Sequence, residues 1–154
     1  MGLIDFVVNA GKKLFGVSSA EAAVPTDPEV LAKRAAALED EIRSLGLTVD
    51  GLKITVEGDT AHVHGTAATQ ETREKVVLAL GNVEGIAKVN DAMQVASASA
   101  ESRFYTVQKG DTLSKIAKEQ YGDANKYPQI FEANKPMLTH PDKIYPGQKL
   151  RIPA

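Results

Sequence analysis

Seven consecutive residues, Leu80-Gly81-Asn82-Val83-Glu84-Gly85-Ile86, hold more chemistry in their backbone than in their side chains. A helix is expected to end there, and the last carbonyls of a helix lack intrahelical partners. The helix dipole makes that end partly negative. Gly81 and Gly85 permit backbone turns closed to other residues and let carbonyls point together. A second helix end is expected near Ala10-Gly11. Two such ends, converging, would form a neutral cage for a large monovalent cation, with carbonyls replacing its water. Calcium and magnesium would ask for carboxylates instead. The residues alone leave a plainer reading open, in which both glycines only stop a helix and start a strand.

Other reactive side chains offer less. His62 and His64 stand two apart, so on a strand they share a face. A transition metal would need further ligands there, and a solvated outer face is the simpler expectation. His140 has no partner adjacent in sequence. Glu39, Asp40 and Glu41 form a helix-surface run in which Glu39 can pair with Arg43 one turn on. No phosphate loop, nucleophile motif or acid–base pair is apparent, so the chain is expected not to be an enzyme.

Composition narrows the class. The 154 residues are 43% hydrophobic and 25% charged, ordinary for a globular protein. No cysteine is present, which excludes disulfides and thiolate metal sites. No apolar run approaches the ~18 residues of a membrane span. The net charge of -2 hides an asymmetry: residues 1–102 carry 9 basic and 15 acidic side chains, and residues 103–154 carry 9 and 5. Opposite signs favour docking of the two halves against each other in a monomer. The lysines of the basic half are scattered, so nucleic acid is not an expected partner. Asp5, Lys12 and Lys13 spoil an export signal, and the expectation is a cytoplasmic protein with no membrane partner.

The elements that must position these residues can be read from periodicity. Leu3, Phe6, Val7, Ala10 and Leu14 recur at helical spacing and predict an amphipathic helix over 2–15. That helix belongs to an N-terminal unit, residues 1–16, expected to pack on the domain formed by residues 28–96. Residues 17–26 read as a linker. Asp27, Pro28 and Glu29 predict a helix start, and Gly46 its end. Leu52, Ile54 and Val56, then Gly58-Asp59, then Ala61 and Val63, predict a hairpin. Thr69 caps a second helix, and Ala87, Val89, Met93 and Val95 make a third strand. Residues 97–103 read as a linker. Residues 104–154 read β-α-α-β, with Asp111 or Thr112 capping the first helix.

Motifs add to this reading. Residues 105–153, with Tyr105-Thr-Val-Gln-Lys-Gly-Asp-Thr-Leu113, Ile130-Phe-Glu-Ala-Asn134 and Ile144-Tyr-Pro-Gly147, resemble a LysM domain. Residues 28–96, with Ile54 to Gly65 and Gly81 to Asn90, resemble a BON domain of order α-β-β-α-β. The fold class is therefore α+β. The pair, preceded by a short amphipathic helix, resembles a family of small BON–LysM potassium-binding proteins. That resemblance implies a potassium sensor that closes its domains on the ion, held by backbone carbonyls of Val7, Ala10, Gly81, Val83, Gly85 and Ile86. Rubidium and caesium are expected to substitute for potassium. The LysM resemblance alone implies an alternative, binding of peptidoglycan or N-acetylglucosamine polymers between Gly110, Asp111, Thr112 and Leu113 on one side and Ile144 and Tyr145 on the other.

Overall fold

A computed structural model describes residues 2–7, 11, 27–97 and 99–153. The first domain is a mixed sheet carrying two helices. Helix α1 (Pro28–Ser44) starts at Asp27, whose carboxylate accepts from the Glu29 N–H, and Gly46 follows its end in the left-handed region. Strands β2 (Val49–Glu57) and β3 (Thr60–Thr69) form the hairpin across Gly58 and Asp59. Helix α2 (Gln70–Gly81) is capped by Thr69, as the sequence predicts. Ile54, Val56, Ala61 and Val63 point to the core beside Leu38, Ile42, Val77 and Leu80. Residues 28–96 contain no aromatic side chain, so this part of the core is aliphatic.

The predicted third strand divides. Strand β4 (Lys88–Asp91) and strand β5 (Gln94–Ser97) both run parallel to β3, one beyond the other. Between them, Met93 N–H turns to the Asp91 carboxylate at 3.0 Å, which breaks the ladder.

The N-terminus corrects the sequence reading more deeply. Gly2–Asp5 is a strand, β1, paired antiparallel with β4, and not the first turn of a helix. Leu3 and Val7, placed inside by the helical stripe, are 57% and 47% exposed. Ile4, which that stripe left outside, packs on the core. The edge of β4 offered a ladder of unpaired backbone groups, and satisfying them outweighs a weak local helix preference in a segment flanked by Gly2 and Gly11. The rest of the predicted helix, apart from Phe6, Val7 and Gly11, lies outside the described residues.

The second domain pairs β6 (Arg103–Thr106) with β7 (Lys149–Ile152) beneath α3 (Leu113–Tyr121), a 3-10 turn at Ala124–Lys126, and α4 (Tyr127–Ala133). Thr112 caps α3 through a 3.1 Å bond from the Lys115 N–H. Its core is Val107, Leu113, Ile116, Ile130, Leu138, Leu150 and Ile152.

The two domains dock. Glu74 of α2 and Arg151 of β7 are both buried and pair at 3.0 Å. The other Glu74 oxygen accepts from Ser102 N–H at 2.7 Å and from Gln70 Nε2 at 3.1 Å. Arg151 also donates to the Ala133 carbonyl and to Ser102 Oγ. The charge asymmetry of the halves thus has a structural counterpart, and Ser102, read as linker, is part of the joint.

Candidate functional site

The segment after α2 is built from buried residues. Gly81, Asn82, Val83, Glu84 and Ile86 are all buried, with Val83 and Ile86 inserted in the first core. Asn82 N–H closes the helix on the Leu78 carbonyl at 3.0 Å, and Ile86 N–H turns back to the Val83 carbonyl at 3.1 Å. Gly85 sits at φ 102°, where a side chain would be strained. Helices α1 and α3 carry Arg43 and Lys118 in their last turns, but α2 carries no basic residue there. Its negative pole is not neutralised by a cation of its own last turn. Glu84, only 8% exposed, adds a carboxylate to the same loop.

The N-terminal segment lies against this loop. Phe6 N–H donates to the Ala87 carbonyl at 2.8 Å, extending the chain past β1. The Phe6 ring covers Gly81 so closely that a Cβ there would stand inside the ring. A Cβ on Gly11 would lie 2.5 Å from the Asn82 carbonyl oxygen and 2.9 Å from the Val83 carbonyl carbon. Only glycine permits that approach. Of the six carbonyl positions expected from sequence, Gly81, Val83, Gly85 and Ile86 share one loop, Val7 is one residue beyond Phe6, and Ala10 is outside the described residues. Elements that meet in this way can present carbonyl oxygens to one large cation.

Two residues here carried no sequence signal. Asn82 reaches across the domain joint: its Oδ1 accepts from Lys149 N–H at 2.9 Å and its Nδ2 donates to the Lys149 carbonyl at 2.8 Å. Lys149 extends the other way, donating through Nζ to the Asp5 carbonyl and lying 4.9 Å over the Phe6 ring. Burial pushes its pKa down, and Asp5 partly opposes the shift. Asn82 lies inside the Gly81 to Asn90 motif and Lys149 inside the LysM span, but nothing in the sequence pairs them, and only their meeting makes them notable.

The LysM turn is organised differently. Asp111, with a side chain 4% exposed, accepts from the Tyr105 hydroxyl at 2.6 Å and from Gln108 N–H at 2.9 Å. The Tyr105 bond foremost, with help from Gln108 and Lys115, holds its carboxyl below the usual range, and Tyr105 is pushed up to about 12. Thr112 is engaged as a cap and Leu113 is in the core. Gly110 is in the left-handed region, and Ile144 and Tyr145 are half-buried, with burial moving the Tyr145 phenol to about 12. His62 lies beside Asn90 and Glu57 on the sheet, and no cluster of three metal-ligating side chains exists among the described residues. No helix among them is long and apolar enough to cross a membrane.

Comparison with known proteins agrees with this architecture. The BON domain family matches residues 30–97 and the LysM domain family matches residues 105–153. Over 154 residues the chain is 45% identical to the "Potassium binding protein Kbp" of Escherichia coli O6:H1, covering 99% of each chain. An uncharacterized protein of Deinococcus radiodurans is 41% identical over 76 residues, which is 47% of this chain and 29% of that one. The uncharacterized protein YqbP of Bacillus subtilis is 43% identical over 60 residues, 33% of this chain and 27% of its own length. With a BON domain, a LysM domain and near-complete coverage of a 45% identical relative, the chain belongs to the Kbp family of BON–LysM proteins.

Proposed function

We propose that this protein binds potassium, in a site of backbone carbonyls contributed by Val7, Ala10, Gly81, Val83, Gly85 and Ile86, and that the ion favours the docked arrangement of its two domains. The observation that carries the reading is the contact of Gly11 and Phe6 with the 81–83 backbone, at a helix C-terminus without a basic residue in its last turn. The name of the 45% identical relative supports the same ion. In this reading the protein is a cytoplasmic ion sensor, monomeric and without catalysis, and rubidium and caesium replace potassium. A neutral cage favours large ions because their dehydration costs less. Small-angle scattering and melting in lithium, sodium, potassium, rubidium and caesium chlorides at equal ionic strength test it. The three larger ions should compact and stabilise the chain, and equal radii and melting temperatures in all five salts would sink the reading.

One observation supports a second activity. The LysM match and the half-exposed Tyr145 fit binding of N-acetylglucosamine polymers, as in peptidoglycan. Against it, Asp111, Thr112 and Leu113 already serve the domain's own fold. Calorimetry with a chitin tetrasaccharide decides, because micromolar binding lost on Tyr145→Ala would establish the glycan site.

A further inference from the structure

Asn82 sits between two of the proposed ligand residues, yet its side chain faces the other domain. It is 6% exposed, and its amide bonds both backbone groups of Lys149, acting as a strand partner for the outer edge of β7. The same Nδ2 lies 3.4 Å from Met137 Sδ. Lys149 in turn holds the N-terminal segment, through the Asp5 carbonyl and the Phe6 ring. One residue of the LysM domain therefore touches both halves of the proposed cage. A planar amide bonded through both its oxygen and its nitrogen has a fixed orientation, so a displacement of Asn82 either strains its two bonds to Lys149 or carries β7 along.

We propose that Asn82 and Lys149 form the coupling element by which the LysM domain positions the ion-binding loop, Asn82 being a positioning residue and not a ligand. This rests on the carbonyl-site reading above. It adds that ion affinity is set partly in the domain that holds no ligand. Coupling of this kind is reciprocal: if docking tightens the ion, the ion tightens docking by the same factor. The Glu74–Arg151 pair lies on the same two elements, α2 and β7, away from the loop. It should influence the ion only through docking.

The test uses the full chain and potassium chloride against sodium chloride at constant ionic strength. Asn82→Ala should weaken potassium affinity by about 5- to 150-fold, the usual span of such couplings. Glu74→Gln, which takes from the buried Arg151 its nearest carboxylate and leaves only Glu71 at 3.9 Å, should also weaken it while leaving every loop residue intact. In the double variant the second loss should largely vanish, because both act through one joint, whereas unrelated structural damage would add. Wild-type affinity in Asn82→Ala, or in Glu74→Gln should the first fail to fold, overturns the coupling and leaves the carbonyl site standing. Full additivity in the double variant also overturns it. A wild-type chain that does not distinguish potassium from sodium overturns the carbonyl site itself, and the coupling with it.

Discussion

Two loops next to helix ends invite comparison: residues 81–86 after α2, and residues 108–112 before α3. At the LysM turn the helix presents its N–H groups, and side chains satisfy them. Thr112 caps the helix, while Asp111 gathers the Tyr105 hydroxyl and Gln108 N–H. At the BON loop the helix presents carbonyls, and the side chains are occupied elsewhere. Val83 and Ile86 are in the core, and Asn82 is in the domain joint. The polar side chains of the LysM turn complete a fold. The backbone of the BON loop lies beside Glu84 and a helix end with no basic residue in its last turn, and this is the negative potential the proposed cation site would use. The proposed site is therefore written in backbone and not in side chains.

That contrast can be broken first at the N-terminus. Deleting residues 1–11 removes β1, Phe6 and Gly11, and with them one wall of the proposed cage. Binding to the native state alone stabilises by about 2.7 kcal/mol at a hundredfold excess over Kd. The intact chain should melt higher in potassium than in sodium, and the truncated chain should show no difference. A truncated chain keeping the full shift would place the ion elsewhere.

At the LysM turn, Asp111→Asn should cost roughly 1.5–3 kcal/mol, since it weakens hydrogen bonds made to a buried charge. It should leave potassium affinity unchanged. The pH dependence has a definite sign. The folded-state pKa of Asp111 is lowered, so its contribution is present above the unfolded value of about 3.9 and is lost as pH falls through the folded value. Urea melts between pH 5 and pH 2 should lose stability with acid in the native chain, and lose less in Asp111→Asn.

Glu84 sharpens the comparison from the other side. At an effective dielectric near 20, a unit charge roughly 10 Å away is worth about 1.7 kcal/mol. Glu84→Gln should therefore weaken potassium by about tenfold and keep the preference for large ions, because the carbonyls and not the carboxylate set ion size. Isothermal titration with potassium and sodium chlorides measures both. A reversal of the size preference would make Glu84 a ligand.

The smallest expected effect is at Tyr145. Tyr145→Ala should leave potassium affinity within about twofold, since the 81–86 loop meets β7 at Lys149 and the domain joint is completed by Arg151 on Glu74. Ion titration and chitin-oligomer calorimetry on the same variant check the two activities separately.

Much of the fold was legible in short-range signals. Asp27, Thr69 and Thr112 cap the helices predicted for them, and Gly58-Asp59 turns the predicted hairpin. Alternation put Ile54, Val56, Ala61 and Val63 inside. Such signals survive because each acts within a few residues, where chain connectivity already holds the partners together. The loop 81–86 was legible for a related reason, as glycines mark where a helix must stop. The N-terminal strand was not. The segment can be read as a helix with Leu3, Phe6 and Val7 on one face or as an edge strand with Ile4 and Phe6 on one face, and only the unpaired edge of β4, more than eighty residues away, decided between them. Asn82 and Lys149 are 67 residues apart, and Glu74 and Arg151 are 77 apart. A lone asparagine or arginine in a sequence states no partner, because hydrogen bonds and ion pairs depend on distances of about 3 Å that only the packed chain creates. The sequence by itself therefore determined two α+β domains, their caps and turns, and a carbonyl-rich helix end. The tertiary structure alone decided what covers that end, and which residue of the other domain holds it.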